Sequence, residues 1–105
     1  SNPSVSKQTG WPIGVWFAEV AHPYWEFAEA GYTVDIASPD GGEIKFDAFS
    51  DPEDPSRYAA FDYVSLGFKK DPARMEQVRN TLKLSTVNPA DYKAIFVCGG
   101  QGPMY

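Results

Sequence analysis

The sequence predicts an α/β fold built on a parallel sheet, and three observations lead there. Residues 94–98, AIFVC, are an unbroken apolar run of the kind found in strands buried on both faces. Residues 32–38, YTVDIAS, form another strand, rich in β-branched and aromatic side chains. Helical patterns lie before and between the two, and strands joined by helical crossovers make a parallel sheet with right-handed connections. Two strands do not make a stable sheet alone. The sheet is therefore expected to be incomplete in this chain.

Residues 1–14, SNPSVSKQTGWPIG, are rich in Ser, Gly, Pro and Asn and read as a loop. A parallel sheet would normally have a strand before such a loop, so the chain is expected to lack its beginning as well as its end, as a fragment of a larger doubly wound domain or as one chain of a two-chain assembly. Residues 15–31 read as a helix, with Trp16, Val20, Tyr24, Phe27 and Ala28 on one apolar face and Gly31 as its C-terminal cap. Pro23 interrupts this pattern. It has no N–H for the carbonyl of Glu19 and its ring crowds that carbonyl, so the helix is expected to be distorted, or to begin, near Glu19.

Pro39-Asp40-Gly41-Gly42 ends the first strand with turn chemistry. A short extended piece follows at 44–46, and the two Asp-Pro steps at 51–52 and 54–55 prevent regular structure. A short helix is expected from Ser56 to about Leu66, with Ser56 as its cap. Lys69-Lys70-Asp71-Pro72 reads as a turn. Asp71 then caps a helix with Pro72 at its first position, running over 73–82. Residues 91–102, DYKAIFVCGGQG, carry the apolar strand into a glycine-rich turn.

Of the 105 residues, 43% are hydrophobic and 15% aromatic, enough for a core and unlike a disordered chain. The net charge of −5 argues against nucleic acid or an anionic membrane surface as partner. No apolar run has the length of a membrane span. A single cysteine excludes an intramolecular disulfide and a multi-cysteine metal site, and mildly favours a reducing, cytoplasmic location.

Candidate chemistry concentrates in two places. Glu19 lies between Phe17, Ala18, Val20 and Ala21 at the proline-disturbed helix start. A carboxylate in apolar surroundings has its protonated form favoured, which suits proton transfer near neutral pH. The ordinary reading is an exposed helix glutamate. Gly99, Gly100 and Gly102 follow the apolar strand, where backbone N–H groups can approach an oxyanion. The ordinary reading is a tight turn. GGQG is neither a P-loop nor a dinucleotide fingerprint.

Cys98 ends an apolar strand and is expected to be structural. His22, the only histidine, is expected to be a hydrogen-bonding or surface residue, and a Cys98–His22 pair is the weaker reading. Asp47, Asp51, Glu53 and Asp54 read as a solvated acidic loop. Trp16, Tyr24 and Trp25 stand at helical spacing, which favours core positions over a pocket lining.

Three separate segments carry a resemblance. GVWFAEVAHPYWEFAEAGYTVDIASPDGG, at 14–42, and DYKAIFVCGGQGPMY, at 91–105, resemble the ThiJ/PfpI family of the class I glutamine amidotransferase-like superfamily. The Asp-Pro-rich excursion and the helix after it are similar to the heat-shock-chaperone and glyoxalase branch. The resemblance implies a flavodoxin-like three-layer sandwich, with residues 1–105 as the N-terminal portion of that single domain. It also implies a cofactor-independent enzyme without metal, acting on small reactive carbonyls, such as a glyoxalase converting methylglyoxal to lactate. An amidase or peptidase of the same fold is the alternative, and a non-enzymatic stress chaperone or redox sensor is another.

On this resemblance Glu19 matches the acid that hydrogen-bonds the nucleophilic cysteine. Gly99 and Gly100 match the turn whose backbone N–H helps to form the oxyanion hole. Trp16, Gln101 and Gly102 are expected to meet substrate. Cys98 falls where relatives often carry proline. The nucleophile is expected on a strand-to-helix elbow outside these residues, supplied by the remainder of the domain or by a complementary chain. A homodimer is a further expected partner state.

Overall fold

The computed structural model describes residues 4–99. Its elements in chain order are helix α1 (Phe17–Glu29), strand β1 (Ala37–Ser38), helix α2 (Tyr63–Lys70), helix α3 (Pro72–Arg79) and strand β2 (Leu82–Lys83). Short 3₁₀ turns occupy Ala48–Ser50, Leu84–Thr86 and Pro89–Asp91. Among the described residues no helix is long and apolar enough to cross a membrane.

Helix α1 runs through Pro23 without stopping. It begins at Phe17, with the Glu19 N–H bonded to the Trp16 carbonyl at 3.1 Å. The proline leaves the carbonyl of Glu19 without the donor four residues on. At the other end Gly31 takes φ +91°, and its N–H bonds the Ala28 carbonyl while Tyr32 N–H reaches Phe27. This is a Schellman ending, in which the left-handed residue costs least as glycine.

The buried face of α1 supplies Phe17, Val20 and Ala21 to a core completed by Val15, Ile44, Phe68 and Val78. Phe17 stacks on Phe46 with ring centroids 3.8 Å apart and meets Phe68 edge-on at 5.9 Å. Tyr24 meets Phe68 edge-on at 5.3 Å, and the Arg74 guanidinium lies 4.9 Å from the Tyr24 ring centre. Burying a side chain such as Phe68 contributes about 1.5–3 kcal/mol, so these few residues dominate the packing of α1 against α2 and α3.

The helix expected from Ser56 instead begins at Tyr63, because Asp62 is the better cap. Its carboxylate accepts the Ser65 N–H at 3.0 Å and the Ser65 hydroxyl at 2.5 Å. Arg57, in the segment that precedes it, stands at φ 61°, which no helix permits. Asp71 caps α3 as expected, accepting from the N–H groups of Ala73 and Arg74, with Pro72 opening the helix.

The sheet is parallel and two-stranded, with Ala37 paired to Leu82 and Ser38 to Lys83. This agrees with an α/β arrangement. The pairing differs from expectation: the partner of β1 is Leu82-Lys83, where the helix over 73–82 was expected to end, and α3 stops at Arg79. The run at 94–98 belongs to no strand among the described residues, and Ile95, Phe96 and Val97 are 71%, 55% and 85% exposed. A central strand is buried because neighbours pair with both its edges and helices cover both its faces. Here Phe96 meets α1, its ring 6.1 Å from Phe27, centre to centre, and Cys98 packs on the core. Of the predicted strand at 32–38, only the last two residues enter the ladder.

Candidate active site

Helix α1 and the segment at 98–99 meet at Glu19. The carbonyl that Pro23 cannot bond accepts instead from the Cys98 thiol, at 3.2 Å. The next residue, Gly99, lies against the Glu19 side chain so closely that a Cβ there would stand 2.5 Å from Oε2. The Glu19 carboxyl group thus lies on the backbone at Gly99, just after the apolar run, where a larger residue would make the carboxylate swing aside.

Cys98 is half-buried and packs on the core. Burial, and then the negative charge of Glu19, push its thiol above the ordinary cysteine range. It therefore stays protonated at neutral pH, as a donor to the Glu19 carbonyl and a poor nucleophile. This is the structural cysteine that the sequence leads one to expect.

Trp16 stands at the N-cap of α1, three residues before Glu19, and so shares its side of the helix start. Its ring meets Tyr58 edge-on at 6.1 Å, and Tyr58 in turn lies 6.4 Å from Phe49. Gly100, Gln101 and Gly102 lie outside the described residues. Of the expected site residues the structure brings together Glu19 and Gly99, while Trp16 is joined to Glu19 through its backbone carbonyl and its ring faces Tyr58.

The chain was compared with known proteins. It is 34% identical over 92 residues to a glutathione-independent glyoxalase, hsp3102, of Schizosaccharomyces pombe. The match covers 88% of this chain and 37% of that relative's length. The chain belongs to the ThiJ/PfpI family. No family profile matches it, and no solved structure matches it. The matched relative thus extends well beyond the part it shares with this chain.

Other features of this family member were not legible beforehand. His22 does pair, as a hydrogen-bonding residue should, but its partner is Asp62 on the far side of the excursion, at 2.7 Å. Burial, the largest effect on Asp62, would raise its pKa. The Ser65 and His22 hydrogen bonds outweigh it and hold the carboxyl below the usual range. One signal was available, since an aspartate three residues before a serine at a helix start is a common cap.

The acidic loop is not simply solvated. Asp47 is buried and caps the 3₁₀ turn by accepting from Phe49 N–H. Asp51 and Glu53 grip Lys69 of α2 at 2.7 and 3.1 Å. Burial would lower the Lys69 pKa, but its hydrogen bonds to Asp51 and Glu53 leave it raised. The acidic residues thereby tie the excursion to α2. Among the described residues no group of three or more His, Cys, Asp or Glu could hold a metal ion.

Proposed function

We propose that this chain forms part of a glutathione-independent glyoxalase acting on small 2-oxoaldehydes, methylglyoxal among them. The observation that carries the reading is the 34% identity, over 88% of the chain, to a protein described as such a glyoxalase. The position of the Glu19 carboxyl group against Gly99 agrees with it. In the proposed reaction a cysteine thiolate outside this chain attacks the aldehyde carbon. Glu19 holds and exchanges a proton beside it. The backbone N–H after Gly99 stabilises the oxyanion that develops on the former carbonyl oxygen. No cofactor is required in this scheme.

The fold proposed for the complete domain is a flavodoxin-like three-layer sandwich. The apolar run at 94–98 supports it, since Ile95 and Val97 expose surface that neighbouring parallel strands and helices would cover. The remainder of the domain is the proposed source of those elements.

The test is turnover of methylglyoxal to lactate by the full-length protein without glutathione, compared with its Glu19→Gln variant. Loss of a positioned acid–base group lowers kcat about 10²–10⁴-fold. The isolated 105-residue chain is expected to be inactive. Full activity in Glu19→Gln would remove Glu19 from the mechanism, and turnover by the isolated chain would show that no outside nucleophile is needed.

A further inference from the structure

We infer that the aromatic residues of the excursion form a subsite for the non-reacting end of the substrate, selecting 2-oxoaldehydes that carry an aromatic or other large apolar substituent. The inference rests on the glyoxalase reading above and adds the substrate class.

Tyr58 carries the argument because it belongs to two neighbourhoods. On one side its ring meets Trp16, whose carbonyl receives the Glu19 N–H. On the other it lines an open groove of about 550 Å³ together with Phe61, Tyr63, Val64, His22 and Asp62. His22, one of the lining residues, follows Glu19 by three residues on α1, about one helical turn along the axis. In the inferred pose the substituent of a dicarbonyl held at Glu19 and Gly99 extends past Trp16 toward the Tyr58 ring.

The chemistry of the lining selects the occupant. Tyr58, Phe61 and Tyr63 are 75%, 79% and 69% exposed, an unusual density of uncovered rings for one short segment. The carboxylate in the groove is not open for a cationic ligand. One Asp62 oxygen accepts from His22 and from the Ser65 N–H, and the other accepts the Ser65 hydroxyl. What remains accessible is chiefly aromatic faces and edges. These favour a ring, in edge-to-face or offset contact, over a bare methyl group.

The test uses the full-length protein without glutathione, with phenylglyoxal and methylglyoxal as substrates. Wild type is expected to show the higher kcat/KM for phenylglyoxal. Tyr58→Ala and Phe61→Ala should each lower the ratio of the two kcat/KM values about five- to tenfold, chiefly through the KM for phenylglyoxal, and Tyr58→Phe should keep the ratio. Both side chains are exposed, so the variants should melt like wild type. A ratio unchanged in Tyr58→Ala would overturn the subsite, as would a shift in sedimentation with no change in ratio, which would make the rings an assembly contact. If wild type handles methylglyoxal but prefers it to phenylglyoxal, the subsite falls and the glyoxalase reading stands. If wild type turns over neither aldehyde, both fall.

Discussion

Phe17 and Phe68 are 1% and 0% exposed, whereas Ile95 and Val97, equally apolar and within the same short chain, are 71% and 85% exposed. The two phenylalanines sit where α1, α2 and the 44–46 segment converge, and each finds an aromatic partner. The 94–97 segment touches the rest of the fold through Phe96 and Cys98. The contrast shows that burial is decided by the elements that can be brought alongside a residue. Residue type supplies only the tendency.

The largest effect should come from the closed side of this comparison. Phe68→Ala removes the ring shared by Phe17 and Tyr24 and should cost about 3–5 kcal/mol, read from denaturant unfolding of the chain. A loss below about 1 kcal/mol would mean that the helical core is as loosely assembled as the 94–97 segment.

An intermediate effect is expected at the joint between α1 and α2. Asp62→Ala removes a cap and the His22 link, and should cost about 1–2 kcal/mol. The same residue gives a pH dependence. Its folded pKa lies below the unfolded one, so its contribution is present above the ordinary aspartate range, near pH 4, and is lost as pH falls through the folded value. Unfolding curves at descending pH should show that loss in wild type and a shallower one in Asp62→Asn.

The smallest effect belongs to the open side. Val97→Thr in this chain should change stability by no more than about 0.5 kcal/mol, because the valine has little cover to lose. A cost near that of a core substitution would show that residue 97 is buried in solution and erase the contrast.

The same distinction explains what could be read in the sequence. Caps and turns are local, so Gly31 ending α1 and Asp71-Pro72 opening α3 were visible in single residues. The tension between Pro23 and the Glu19 carbonyl was visible too, because it spans only four positions. Pairing between distant segments was not. Leu82-Lys83 has neither the length nor the alternation of a strand, yet it is the partner of β1. The His22–Asp62 link joins residues 40 apart, and no periodicity announces it. Tyr58 beside Trp16 was hidden for the same reason.

Pro23 sets heat tolerance against tethering. An alanine there would restore the N–H that the Glu19 carbonyl lacks, and a helix interior favours alanine over proline by about 3 kcal/mol. The restored bond would engage the oxygen to which the Cys98 thiol now donates. Selection for a higher melting temperature would therefore tend to discard the proline and place a second donor on the oxygen that now holds residue 98, and Gly99 beside it, to the helix.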